Sequence, residues 1–515
     1  MKIRFVLAAL LSAVAVPAHA DWYEASSDHF VIYADDSEKD VREFSANLER
    51  YHSAMEFITG RKTELPSPSN RVTIFAVGNS RKMQALSGNK MIAGFYVSRA
   101  GASRAFVQNI RNRTGTYADF STIVLLHEYA HHFLISTSRY AMPRWLGEGA
   151  AEFFASTSFE RDGGIMIGRP AQHRAADFVY SNDVNLMALL DSDTYEKTKR
   201  KGYDQFYARS WLLFHYLTFS EERKGQLSQY WARLREGESS LAAAQATFGD
   251  LEILEKQLER YLSQRRMTTF NLKPEWLASG EITLRRLPEG EAAMMDVRIV
   301  SQRGVDREQA LELLSDARAI AAKYPKDPGV LTALAEAEYD AGYTEEAIAA
   351  ADRAIALDPS RTNAYVQKGF ALFRKASEAN DPAAFKVAMA PFSALNKLEN
   401  DHPLPLMYYY RSQVESGQEP NDTARHALER ASILAPFDQN LAMNTALMLA
   451  GEGKIELART MLRPLMSNPH GGGLADAASQ VHAELASAPE GEAWRQDTGG
   501  DWNEEQAEED AGEDG

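Results

Sequence analysis

"STIVLLHEYAHHFLIS", residues 121–136, sets three histidines and one glutamate among aliphatic and aromatic residues. His127 and His131 are four apart. On a helix that spacing places both imidazoles on one face, one turn apart, where they can share an ion at roughly 2 Å from each nitrogen. Glu128 then points beside such an ion, positioned to hold a water and take its proton. Residues 123–126 and 133–135 are apolar and bury the helix, and a dry wall strengthens the field acting on that water. His132 falls off the ligand face and reads as a structural residue.

The flanks define the domain around this helix. Upstream, "HFVIYAD" (29–35), "RVTIFAV" (71–77), "IAGFYVS" (92–98) and "RAFVQNI" (104–110) are rich in β-branched and aromatic residues and predict strands. Between the first two, "SEKDVREFSANLERYHSAMEFITG" predicts a capped amphipathic helix ending at Gly60. From about 140 to 265 the periodicity is mostly helical. Residues 21–270 therefore read as one α+β domain, with a sheet first and helices after. A 515-residue chain is too long for one core. Its 44% hydrophobic and 10% aromatic content is that of a folded globular protein.

Residues 1–20, "MKIRFVLAALLSAVAVPAHA", carry Lys2 and Arg4, a short apolar run and a small-residue site. This is the grammar of a signal peptide cut after Ala20, and it predicts a periplasmic or secreted protein. No other apolar run is long enough to span a membrane. The chain has no cysteine, which excludes disulfides and thiolate metal sites and leaves histidine and carboxylate as the ligands for any metal.

The third ligand lies downstream. Residues 132–138, "HFLISTS", lack the Gly and His of a metzincin. "PRWLGEGAAEF" (143–153) offers two carboxylates, Glu148 and Glu152, one turn apart, and spacing alone admits either. This stretch resembles the second motif of the gluzincin zinc peptidases, Trp-Leu-x-Glu-Gly-x-Ala, and specifically that of the peptidase MA-like family. The resemblance covers roughly residues 22–265. It implies a zincin-like metallopeptidase domain with Zn2+ held by His127, His131 and Glu148, and with Glu128 as the base. It also implies that Gly149 and Ala151 let this helix pack closely on the first, and that Glu152 holds a ligating histidine. In "YDQFYARSWLLFHYL" (203–217), similar to a later helix of the family, Tyr207 is the implied oxyanion donor. Tyr203 and His215 are alternatives there, and a plain core tyrosine remains open. His173, in "GRPAQHR", reads as a loop residue outside the site.

A second grammar follows. "VLTALAEAEYDAGYTEEAIAAADRAIALDPS" (330–360) resembles a tetratricopeptide repeat, with Leu331, Leu334, Gly342, Ala347, Ala354 and Pro359 at that family's spacing. Pro325 to Pro359 is 34 residues and Pro436 to Pro469 is 33, while Pro359 to Pro436 is 77, two periods plus an insertion near "SEANDPAAF". The expected organisation is a linker at 271–288, an all-α solenoid of four or five such repeats over 289–475, and a disordered acidic tail over 476–515.

These parts imply an exported zinc peptidase, more endopeptidase than aminopeptidase, with repeats that recruit substrate or a protein partner. An aminopeptidase needs a carboxylate for the substrate amine, and residues 65–118 contain none. The strand at 104–110 is the expected edge for pairing with an extended substrate. Two rival readings stay open: an envelope assembly or quality-control factor whose zinc domain mainly docks, and a zinc hydrolase for a non-peptide bond. Nucleic acid is an unsuitable partner for an exported chain of net charge −16.

The charge is unevenly spread. Residues 65–118 carry eight bases, Arg71, Arg81, Lys82, Lys90, Arg99, Arg104, Arg111 and Arg113, whereas residues 497–514 carry nine acids and no base. If the tail screens the basic face, deleting residues 497–515 raises activity at low salt and leaves it unchanged at high salt. Equal activity of the two forms at low salt would discard the idea.

Overall fold

The computed structural model describes residues 21–495 apart from residues 91, 112–114, 139 and 468–471. The expected leader, Arg113 and the acidic run from 497 lie outside the described residues. Nine strands are present among the described residues: β1 (Trp22–Ser26), β2 (Phe30–Asp35), β3 (Val72–Ala76), β4 (Gly94–Val97), β5 (Arg104–Val107), β6 (Ser158–Phe159), β7 (Ile165–Ile167), β8 (Phe270–Leu272) and β9 (Thr283–Arg286). The main sheet has the order β4-β5-β3-β2-β1-β9, and β6-β7-β8 form a small second sheet. The central strands β2, β3 and β5 are parallel, and both outer flanks are antiparallel.

Alternation along these strands explains their burial. Phe30, Ile32, Val72, Ile74, Ala105 and Val107 point to one face, into the main core. Tyr33, Phe75 and Phe106 point to the other, into a separate cluster. A sheet apolar on both faces must be covered on both. On the first face lie α1 (Glu38–Thr59), capped by Ser37 and closed by Gly60 in the left-handed conformation, and the motif helix. On the second lie the short α2 (Ser80–Ser87) and residues Met295 and Ile299 of the helical half.

That contact corrects the expected linker. Within 271–288, β9 pairs with β1 at the edge of the main sheet, and Leu272 of β8 pairs with Ile165 of β7. The chain crosses from one half to the other as part of the sheet. The expected substrate-pairing strand is corrected too. β5 is flanked by β3 and β4, so its backbone is engaged on both sides, and the edge strand on that side of the sheet is β4.

Beyond α3 (Phe120–Thr137), α4 (Arg144–Ala155) and α5 (Phe206–Phe219), the helical half is an array of antiparallel pairs. They are α6 (Met295–Arg303) with α7 (Arg307–Lys323), α8 (Pro328–Asp340) with α9 (Thr344–Leu357), and α10 (Thr362–Ala379) with α11 (Pro382–Leu398). Then come α12 (Pro403–Glu415) with α13 (Asp422–Leu434), and α14 (Gln439–Gly451) with α15 (Ile455–Met466). The insertion lengthens one hairpin: α10 and α11 have 18 and 17 residues, against 13 and 14 in the preceding pair. A closing helix α16 (Gly472–Leu485) buries Ala478, Val481 and Leu485 against α15 and its neighbours. Residues 476–485, expected in the tail, are thus part of the fold, because these apolar positions recur at helical spacing. No helix among the described residues is long and apolar enough to cross a membrane.

The array returns to the first domain at its far end. Ser69 donates through its N–H and Oγ to Glu399 (2.9 and 2.8 Å), Asn70 Nδ2 donates to Leu434 O (2.7 Å), and Ala100 N–H donates to Asp438 Oδ2 (2.8 Å). Between these contacts and the α6 contact, the first helices of successive pairs line a chamber of about 2990 Å³. Its other wall is the β4 edge and α3.

Asp340 of α8 sits in that wall, accepting a hydrogen bond from Ser301, with Glu336 one turn before it and Arg104 and Arg374 nearby. Burial, then the like charge of Glu336, push its carboxyl up to about 7, against the opposing Ser301 and arginines. A carboxyl pKa higher in the folded than in the unfolded chain makes the group's contribution to stability fall as pH rises from about 4 through about 7. Asp340→Asn is expected to match wild type in thermal midpoint near pH 4 and to exceed it by several degrees near pH 8. A difference that stays constant between those pH values contradicts this.

Candidate metal centre

α3 is capped by Asp119, whose side chain accepts from Thr122 N–H at 3.2 Å, and it buries Leu125, Leu126, Ala130 and Phe133 against the sheet. That seating turns His127 and His131 toward α4. α4 is almost wholly buried, anchored by Trp145, whose Nε1 donates to Tyr230 Oη at 3.0 Å. Gly149 explains the approach of the next helix: a Cβ there would lie 2.5 Å from Ser210 O of α5. Its closest approach is therefore to α5, whereas the resemblance implied α3. The glycine brings α5, with Tyr207, against the ligand helix.

The three implied ligands converge. His131 Nε2 is 3.1 Å from His127 Nε2, and Glu148 Oε2 is 3.2 and 3.4 Å from the Nε2 atoms of His127 and His131. Donors about 2.0–2.1 Å from a tetrahedral ion lie about 3.3 Å from one another, so the set has the dimensions of a zinc site. Among the described residues these three are the group so arranged. Three donors of this kind would leave the fourth position of a tetrahedral ion open. Glu128 is half-buried and, with His131, faces the chamber.

Geometry separates the two carboxylates that spacing could not. Glu152 lies behind His127, with Oε1 3.3 Å from Nδ1, and is also held by His173 Nε2 (2.5 Å) and Arg174 Nη2 (2.6 Å). Burial opposes its charge, but Arg174 and the two histidines outweigh burial and hold its carboxyl well below the usual range. An ionised Glu152 orients the ring of His127, as outer partners of metal ligands do. Burial also opposes protonation of His127, yet Glu148 and Glu152 raise it to about 10.

His173 and Arg174 were missed in the sequence because they lie in a short turn without periodicity, more than twenty residues from Glu152. The one available signal was the buried charge of Glu152, which demands partners. Tyr207 is half-buried, its ring 6.3 Å from that of His127, with Arg174 4.8 Å from its centre. Burial and then Glu148 raise its phenol above the ordinary value, so it stays protonated as a donor. The alternatives lie elsewhere. Tyr203 is 82% exposed, and His215 is buried between Tyr261 Oη (2.8 Å) and Gly168 O (2.9 Å), with its pKa lowered to about 4 by burial. His132 points away from the ligands. It bonds Tyr96 Oη through Nδ1 at 2.7 Å and packs 4.4 Å from the Phe437 ring of the helical array, with its pKa lowered to about 3 by burial.

Comparison with known proteins adds little chemistry. A family described as "Protein of unknown function (DUF1570)" matches residues 119–236, the span from α3 through α5. No curated protein matches the chain. Among solved structures, the chain is similar to TTC0263, a thermophilic TPR protein in Thermus thermophilus, at 14% identity and a TM-score of 0.31, over 38% of this chain and 96% of that one. It is also similar to MamA from Desulfovibrio magneticus, at 16% identity and a TM-score of 0.26, over 39% and 96%.

The two carboxylates are expected to behave differently. Glu148→Gln removes a donor and abolishes stoichiometric zinc binding. Glu152→Gln keeps the donors and weakens zinc by roughly 10- to 100-fold, read by competition with a chelator. The reverse ranking would make Glu152 the ligand.

Proposed function

We propose that the protein is an exported zinc peptidase that hydrolyses peptide bonds in extended protein segments. The observation that carries this reading is the 3.1–3.4 Å spacing of His127, His131 and Glu148 beside a chamber-facing Glu128. Zinc in that donor set supplies Lewis acidity, acidifying a water and polarising a carbonyl. Glu128 takes the proton from the attacking water and passes it to the leaving amine. Tyr207 stays protonated and donates a hydrogen bond from its hydroxyl to the oxygen that gains charge. Glu152 keeps the Nδ1–H of His127 engaged, so that Nε2 carries the lone pair toward the ion.

The surroundings favour an extended substrate. The free edge of β4 runs along the chamber beside α3 and offers backbone groups for pairing. The helical array faces the same space, so a protein bound by the repeats is delivered to the metal centre. The sequence of residues 1–20 supports an exported location.

The decisive experiment compares wild type with Glu128→Gln on an unfolded protein substrate, with zinc measured in both. Wild type is expected to hold about one zinc and cleave. The variant is expected to keep its zinc and lose roughly 10²- to 10⁴-fold in rate. A wild type that binds zinc and does not cleave favours the docking and assembly role. A wild type without zinc rejects the metal centre altogether.

A further inference from the structure

We propose that Arg144 forms a carboxylate-binding subsite beside the metal centre, taking either the free C-terminal carboxylate or an acidic side chain of the substrate. This rests on the peptidase reading and names what its site selects. Arg144 opens α4 one turn before Glu148, on the same helix face, and lines the chamber. Its guanidinium carbon lies 4.4 Å from the ring centre of Phe206, 5.3 Å from Tyr195 and 6.0 Å from Tyr207. Three rings therefore hold it in one place.

What it lacks is an anion. Arg174, on the other side of Tyr207, is bound by Glu152 through two nitrogens. Arg144 has no ion-pair partner among the described residues, and its buried Nε makes no hydrogen bond. Neutral phenols, Tyr207 and Tyr195, hydrogen-bond it, and the carboxylate whose charge reaches it, Glu148, is directed at His127 and His131. A partly buried guanidinium without a counter-ion is costly unless a ligand supplies one. Its planar fork suits a carboxylate, which accepts two parallel N–H bonds. The chamber-lining position makes the incoming polypeptide the source of that carboxylate. A subsite here orients the chain relative to the metal, so Arg144 determines which bond is presented.

The test reads binding rather than turnover, so it stands apart from the test of the peptidase itself. Zinc-loaded full-length Glu128→Gln is titrated by fluorescence anisotropy with three N-terminally labelled peptides of one sequence. The first ends in a free carboxylate and the second in a carboxamide, and the third is the carboxamide with one internal Gln replaced by Glu. The free carboxylate or the internal Glu is expected to bind roughly 10- to 100-fold more tightly than the plain carboxamide. Whichever of the two gains identifies the source. Adding Arg144→Met should remove the gain, and Arg144→Lys should restore part of it, with zinc content and thermal midpoint retained. Equal binding of all three peptides overturns the proposal, as does a preference that survives Arg144→Met. If wild type binds with this preference yet cleaves nothing, the subsite stands and the peptidase reading fails.

Discussion

Two carboxylates with almost no exposure, Glu148 and Glu152, stand one turn apart on a helix packed on all sides. Burying an ionised carboxylate is tolerated only where partners replace its water. Glu152 takes Arg174, His173 and the far nitrogen of His127, while Glu148 faces the near nitrogens of His127 and His131. That requirement dictates how α3 and α4 lie against each other. It also sets which nitrogen of His127 faces Glu148 and which faces Glu152. The bare backbone at Gly149 then admits α5, which carries Tyr207 to the same place. The positions of His127, His131, Glu148, Glu152 and Tyr207 thus depend on a single packing solution.

The helical half is mounted on this arrangement at two points. Its first helix completes the cover over one face of the sheet, and its fourth and fifth pairs grip the loops around Asn70 and Ala100. An array held at both ends cannot swing as a tethered module. The space it encloses with α3 and the β4 edge becomes a feature of the fold, and Glu128 and His131 face it. His132 shows the join most directly. A histidine of the motif helix itself packs against Phe437 of the array, so the motif helix and the repeats share a wall.

Much of this was legible from local pattern. Four of the five strands before the motif (all but β1), the capping of α1 and the pairing of helices on a 33–34-residue period each follow from short-range periodicity or from a cap. The His127–His131 pair was legible because helix geometry translates a spacing of four into one face. What escaped was held by contacts distant in sequence. β9 lacks a strong alternating signature and is a strand because β1 offers it an edge. β5 reads as well as any edge strand, and only the docking of β4 makes it interior. His173 reads as a loop residue until the buried charge of Glu152 is placed beside it.

By itself, the sequence determined the donor inventory and the period of each half. Without cysteine, any metal has to rest on imidazole and carboxylate, and the helical spacing of His127, Glu128 and His131 is a property of the chain alone. Tertiary structure decided the roles. Glu148 rather than Glu152 meets both imidazoles, and His132 joins the repeats rather than that cluster. Arg144 is left without a counter-ion at the chamber wall, among the described residues. Those outcomes depend on burial and on which helix approaches which face. They are set by the desolvation of charged groups across three-dimensional contacts, which spacing along the chain does not encode.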